Sequence, residues 1–492
     1  MPLWQHILTQ TRQEFWLILP QVQLAFFGMA ILLTDFLLEK EQKAWNALTA
    51  LLGVFFSGVA LWKLRGVPQG GVSGFDNSIV VDPFFVFFGF IFLAATALVI
   101  LLSVKYLEIE DEHHGEYYAL MLFSAVGMMF LAEGNDLVVL FLALETMAIA
   151  FYVLSGFLRR DRRSNEGALK YLLLGAFSSG VLAYGFSLLY GMAGSTNLDT
   201  IADAVAVRPP RDFLLLLSLA TVAAGLFFKI AAVPFHQWAP DVYEGAPTPI
   251  AAYISVASKA ASFALLLRIF LTIYWPVRVD WVGVVSVVAV ASMTLGNLAA
   301  ITQTNLKRLL AYSSIGHVGY ILLGLVAGNT RGLQGMAFYI LTYAFFNAGA
   351  FAVITVLRRK DIIGDELDDL NGLIERNPAA AVLMLIFVLS LAGIPPTAGF
   401  IGKLLIFWAL IETNHYILAV IAVLYILPAV YYYFRIIAHM WVREPGDVSR
   451  PHISPGQVVA LATAMAVTLA AGIYPEPFLR FASYSLMLPF GR

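Results

Sequence analysis

The chain has 492 residues, of which 60% are hydrophobic and 13% charged, whereas a soluble domain is roughly 45–50% apolar and about 25% charged. A net charge of −2 excludes a nucleic-acid-binding face. The absence of cysteine excludes disulfides, thiolate nucleophiles and cysteine-held iron–sulfur or zinc centres, so no cofactor is expected in this chain.

The excess apolar surface resolves into runs long enough to cross a bilayer, for which about 20 residues are needed. In chain order the predicted spans are 15–38, 44–64, 79–103, 117–132, 136–158, 167–191 and 213–237. They continue at 248–274, 280–302, 308–327, 334–357, 378–411, 414–440 and 455–474, an all-α membrane protein of about fourteen helices. The first residues lack the basic start and cleavage site of a signal peptide, so span 1 is expected to be retained. Gly70-Gly71-Val72-Ser73-Gly74 reads as a plain loop, and His113 and His114, in the acidic stretch Glu108 to Glu116, as solvated.

Lysine and arginine concentrate in the loops after odd-numbered spans. The strongest cases are Arg159, Arg160, Arg162 and Arg163 after span 5, and Arg358, Arg359, Lys360 and Arg376 after span 11. Such loops are expected in the cytoplasm, with both termini on the opposite side.

Two spans are expected to be broken. The run 378–411 is too long for one straight crossing and contains Gly393-Ile394-Pro395-Pro396-Thr397-Ala398-Gly399, where two prolines remove backbone donors. The run 213–237 carries Pro234 shortly after Lys229. Irregular backbone at membrane depth needs a protein or water-lined environment, and broken spans in corresponding places mark inverted-repeat transporters. Tyr171, Leu173, Ala176 and Phe177 of span 6 match Tyr339, Leu341, Ala344 and Phe345 of span 11 at a constant offset. Spans 4–8 and 9–13 are therefore expected to form two five-helix units. The corresponding division is 1–116, 117–274, 280–440 and 441–492.

Charge inside a span costs about 2.5–3.5 kcal/mol per residue on insertion scales. The cations inside these spans are Lys170, Lys229, Lys259, Arg268, Lys403 and Arg435, and Glu145 is the acid near a midplane, roughly 13 Å past Asp136. Glu145 is either functional or a structural carboxylate paired with a neighbouring helix. Lys229 and Lys259 lie too deep to snorkel, and suit either proton transfer or a permanent salt bridge with Glu145. Lys403 reads as a terminal proton-release group or a snorkelling lysine, and Lys170 as a relay or an interface anchor. His236 and His317 could relay protons or serve as helix-packing polar groups.

The stretch Lys229-Ile230-Ala231-Ala232-Val233-Pro234-Phe235-His236-Gln237-Trp238-Ala239-Pro240-Asp241-Val242-Tyr243-Glu244-Gly245-Ala246-Pro247-Thr248-Pro249, running on to Ser258-Lys259-Ala260, resembles the core of the antiporter-like subunits of respiratory complex I, the NADH-quinone oxidoreductase. Lys307-Arg308-Leu309-Leu310-Ala311-Tyr312-Ser313-Ser314-Ile315-Gly316-His317 and Gly393 to Phe400 are similar to the same family. The Ser258-Lys259 pair, with lysine rather than glutamate at Lys403, resembles the subunit N branch, which is similar to mitochondrial subunit 2.

The resemblance implies a fourteen-helix fold with two inverted repeats, and proton transfer driven by quinone reduction in other subunits. By position it implies Glu145 as the acid of a pair with Lys229, Lys259 as central relay and Lys403 as distal site, with Lys170 and His236 auxiliary. It implies partners among the complex I membrane subunits, namely subunit M, subunit K and the lateral helix of subunit L, together with membrane lipids. It also implies a bacterial inner-membrane location with periplasmic termini. A subunit of a cation/proton antiporter or membrane-bound hydrogenase complex would use the same helices, and a non-conducting scaffold would tolerate neutral replacements of the buried lysines.

Overall fold

The computed structural model describes residues 14–39, 42–209, 211–359, 364–445 and 453–486. Lys360 of the predicted basic loop and both chain ends lie outside the described residues.

In hydrocarbon an amide finds its partner only within its own helix, and each predicted apolar run is helical. The crossings are α1 (Leu19–Leu37), α2 (Ala44–Leu64), α3 (Pro83–Glu110), α4 (Gly115–Glu133), α5 (Leu137–Ser155), α6 (Arg162–Ala193) and α7 (Phe213–Ile230). They continue with α8 (Thr248–Thr272), α9 (Trp275–Ile301), α10 (Leu306–Ala327) and α11 (Thr330–Leu357). α12 is split into Pro378–Ala392 and Ala398–Glu412, and α13 (Tyr416–Trp441) and α14 (Pro455–Ile473) follow. Among the described residues 13 helices are long and apolar enough to cross unaided, and the two halves of α12 make the remaining crossing together.

Polar residues at the run ends set where helices begin. Asp82 accepts from the Phe85 amide, Asp136 from Val138, Asp212 from Leu215 and Asn305 from Arg308, each supplying one of the partners that a first helical turn lacks.

Two expectations are corrected. Val72–Gly74 (β1) pairs antiparallel with Ile79–Val81 (β2), so three of the five residues of the expected loop are strand and α3 starts four residues later than predicted. The cause is a short period of two: Ile79 and Val81 are buried against the bundle while Val80 between them is not. His113 is half-buried, with its Nε2 3.0 Å from the Val104 carbonyl oxygen. Burial pushes its imidazole below the ordinary histidine range.

α8 and α11 are enclosed on all sides, whereas α1, α6 and α14 turn much of their apolar surface outward. One membrane face carries a ring of ion pairs: Arg308 with Asp241 at 2.7 Å and Glu244 at 3.0 Å, Lys170 with Asp241 at 2.7 Å and Glu166 at 2.9 Å, and Lys307 with Asp365 at 3.5 Å. The site lies between these layers, where enclosed helices carry charge.

Candidate functional site

α7 ends where the sequence predicts a break. Ala231 adopts a left-handed conformation at φ 59°, and Pro234 can neither donate nor let Val233 sit comfortably in a helix. The exposed backbone groups find partners nearby. Ala232 N–H donates to the Phe227 carbonyl at 2.8 Å, Trp238 Nε1 to the Phe228 carbonyl at 2.9 Å, and Val233 N–H to Ser292 Oγ of α9 at 3.0 Å. The chain resumes as the short helix Trp238–Gly245, fastened by a stack of Trp238 on Tyr171 with ring centroids 4.5 Å apart.

Lys229 occupies the last turn of α7, 5% exposed, at the end where a helix favours a cation. Its Nζ donates to Ser179 Oγ of α6 at 3.2 Å. Glu145 on α5 is half-buried, and its Oε1 has no hydrogen-bond partner among the described residues. Lys229 and Glu145 form no direct ion pair among the described residues.

α8 is interrupted by a π-helical turn, Ile254–Ser258, immediately before Lys259. Such turns commonly mark functional positions because they loosen the helical hydrogen-bond ladder. Lys259 is 4% exposed. Its Nζ contacts Ser314 Oγ of α10 and lies 5.6 Å from the Tyr243 ring centroid. Lys259, Ser314, His317 of α10 and Tyr343 of α11 line a cavity of about 10 Å³, close to the room that one water needs.

His317 is held at both ring nitrogens, with Nδ1 2.7 Å from Tyr339 Oη and Nε2 3.1 Å from Tyr433 Oη. Tyr433 Oη in turn contacts Ser313 Oγ. Lys403 is 2% exposed and donates from Nζ to the Leu391 and Ala392 carbonyls at 3.2 and 3.0 Å. These carbonyls end the first half of α12, so the ammonium supplies the partners missing where the helix breaks. It also lies 4.8 Å from the Tyr320 ring centroid.

Ser314, His317 and Tyr320 follow at every third residue of α10 and share one face. Together they span about 9 Å and run from Lys259 at one end to Lys403 at the other. The structure thus brings Lys259, His317 and Lys403 into one string. Lys229 with Glu145 lies on the α5–α7 side. His236 sits in the break after α7, half-buried, its Nδ1 without a hydrogen-bond partner among the described residues. Lys170 is at the membrane face in the ion pairs already described.

The sequence reading did not identify Ser179, Ser314, Tyr320, Tyr339 or Tyr433 because a lone hydroxyl in an apolar helix carries no charge penalty to attract notice. Spacing on α10 was the available signal. Two predicted interior cations serve the fold instead. Arg268 pairs with Asp82 at 3.1 Å, and Arg435 donates to the Ile301 carbonyl at 2.6 Å, closing the end of α9.

Gly393, at φ +82°, is required by the α12 break. A methyl there would fall 2.8 Å from Lys403 Cδ and 3.1 Å from its Nζ. Gly393→Ala is expected to lower stability by about 1–2 kcal/mol from the left-handed backbone alone, and to push Lys403 off its carbonyls. A fall in thermal melting temperature in detergent checks the first effect.

The family described as NADH:quinone oxidoreductase/Mrp antiporter, TM matches residues 134–427. The chain is 56% identical over 479 residues to NADH-quinone oxidoreductase subunit N 2 of Solibacter usitatus, covering 95% of this chain and 97% of that protein. It is 42% identical over 477 residues to NADH-quinone oxidoreductase subunit N of Trichlorobacter lovleyi, covering 96% of each. A chain in the structure of respiratory complex I from Thermus thermophilus with bound aureothin superposes with a TM-score of 0.80 at 31% identity, covering 94% of this chain and 98% of that one. A chain of the Mrp complex from Dietzia superposes at 0.79 with 23% identity, over 94% of this chain and 96% of that one, a likeness of fold.

Proposed function

Since the chain belongs to the NADH:quinone oxidoreductase/Mrp antiporter transmembrane family, we propose that its enclosed lysines carry protons through the membrane along the string from Lys259 by Ser314, His317 and Tyr320 to Lys403. The chain is a proton-translocating membrane subunit of NADH-quinone oxidoreductase, a multi-span component of a bacterial respiratory complex. The observation that carries the route is the row Ser314, His317 and Tyr320 on one face of α10, with Lys259 on the Ser314 hydroxyl and Lys403 over the Tyr320 ring, each lysine under 5% exposed.

Each step is a proton transfer between neighbouring groups of this row. Lys259 Nζ meets the Ser314 hydroxyl, and His317 has its ring nitrogens on Tyr339 and Tyr433. An imidazole so held can accept a proton at one nitrogen and release one from the other. Lys403 waits on helix-end carbonyls that stabilise an ammonium. Glu145 and Lys229 act as the gate. Closing that pair cancels a buried charge and opening it restores one, which changes how firmly Lys259 holds its proton. The work done per charge against the membrane field is about 2.3 kcal/mol per 100 mV.

In this reading residues 117–274 and 280–440 are the two inverted five-helix units, with α7 and α12 as their broken helices. Residues 1–116 add the N-terminal helices and 441–492 the C-terminal helix and tail. Lys170 and His236 are auxiliary relays. The chain lies in the inner membrane with its termini in the periplasm, beside subunits M and K and the lateral helix of subunit L. Glu145→Ala and Lys229→Ala are each expected to lower NADH-driven proton pumping by the assembled complex. Pumping at the parent level in both variants would reject the assignment, and would favour a scaffold that does not conduct.

A further inference from the structure

The route above leaves unused a second set of polar groups beside Lys259. Ser255 lies four residues before Lys259, across the π-turn and on the same side of α8. Asn347 of α11 donates its Nδ2 to Ser255 Oγ at 2.7 Å, and Ser255 Oγ lies 3.3 Å from the Oη of Tyr343, one turn earlier on α11. Tyr343 also lines the cavity that Lys259, Ser314 and His317 share, with its ring centroid 5.3 Å from that of His317. Asn347 is fully buried, and its Oδ1 has no hydrogen-bond partner among the described residues. An unmatched buried carbonyl costs stability, so the use of this amide lies at its donating end.

The order of the hydrogens follows from what each group offers. An amide N–H only donates, so Ser255 Oγ accepts from Asn347 and its own hydrogen is left for Tyr343 Oη. Tyr343 Oη, accepting from Ser255, then has its hydrogen free for the cavity. No carboxylate lines that cavity; the other titratable groups against Lys259 among the described residues are His317 of α10 and Tyr243, whose ring centroid is 5.6 Å from Lys259 Nζ. Hydroxyls and an aromatic face are thus what meets the Lys259 charge, and the end of the Tyr343 hydroxyl turned toward it matters. A donor aimed into the cavity suits the lone pair of a neutral amine and opposes an ammonium, directly or through the one water for which there is room.

We propose that Asn347 is a positioning residue for Lys259: through Ser255 it turns the Tyr343 hydroxyl hydrogen toward the cavity, favouring the neutral amine and so release of the Lys259 proton into the α10 row. The inference rests on Lys259 being a relay. In the step, an N–H bond of the Lys259 ammonium breaks, and Ser314 Oγ takes that proton while passing its own hydrogen onward along α10. The lone pair left on Nζ takes up the hydrogen bond that Tyr343 offers. Asn347 itself exchanges no proton, and no electron is transferred.

Asn347→Leu removes the donor while filling much of the same volume. Tyr343 is then free to turn a lone pair on the ammonium, so Lys259 should hold its proton roughly two- to tenfold more firmly, the weight of one hydrogen bond. In membranes holding the assembled complex, the pH profile of NADH-driven pumping is expected to move upward by as much as about one unit. Tyr343→Phe and Ser255→Ala should move it in the same direction. Adding Asn347→Leu to Tyr343→Phe should move it no further, because the amide acts through that hydroxyl; a merely structural role would add its own effect. Profiles that stay in place, move downward or add in the double variant overturn the proposal. An unmoved profile in Ser255→Ala overturns it as well, even where Asn347→Leu fails to assemble. Lys259→Met serves as control: if it pumps normally the lysine route itself is wrong, whereas if it fails while Asn347→Leu keeps the parent profile, only the positioning role falls.

Discussion

Lys259→Met is expected to stop proton transfer through this chain while leaving the helix bundle assembled. Methionine has nearly the length of lysine and no charge, and replacing a buried ion with an apolar side chain of similar volume is often neutral or stabilising. Lys259 lies 4% exposed between the π-turn of α8 and the Ser314 hydroxyl, so the substitution fills the same space. The relay loses its only titratable nitrogen at that position. Positioned acid–base groups are typically worth about 10²–10⁴ in rate, and a loss of at least about a hundredfold in transfer through this subunit is expected. The check is NADH-driven acidification in inverted membrane vesicles, compared at equal complex content by native gel. Retained pumping at equal content would remove Lys259 from the route.

The second large effect is on stability. Arg268→Ala is expected to destabilise the chain by about 3–5 kcal/mol, the usual cost of leaving one member of a buried ion pair without its partner. Arg268 is 3% exposed and Asp82 is itself buried. Asp82 also accepts from Phe85 N–H at the start of α3, so the uncompensated charge strains a helix end. The Ala132 carbonyl loses a donor at the same time. Arg268→Ala together with Asp82→Asn should recover much of the loss, because the asparagine still caps α3 without a buried charge. Thermal unfolding of the complex in detergent, read for the single and double variants, tests this; equal destabilisation by both would mean the pair is not the cause.

These two lysine- and arginine-bearing sites show why sequence alone separates them poorly. Lys259 and Arg268 lie on the same helix, each a costly cation within an apolar run, and by position along α8 both qualify as functional. Their difference is lateral. Asp82 is 186 residues away in sequence from Arg268 and meets it because α3 packs beside α8. Lys259 instead meets a serine hydroxyl on α10. Lys403 presents a third case. Its depth beyond the proline break was readable, but its role as a donor to helix-end carbonyls needed the second half of α12 to fold back within 3.2 Å of the first. That Lys229 meets Ser179 of α6 and not Glu145 was equally beyond reach, since it depends on which helix packs beside α7.

Sequence by itself determined the membrane class, the crossings, the interruptions of α7 and α12, and the short set of charged residues at depth. Hydrocarbon imposes these directly: unpaired amides and charges are costly there whatever surrounds them, so length, proline and ionisable residues are informative one at a time. Tertiary structure decided which buried cations are neutralised by a partner and which face a string of hydroxyls. Those outcomes depend on which helix lies alongside which, and contacts between residues far apart in the chain are set by packing that no local run of residues contains.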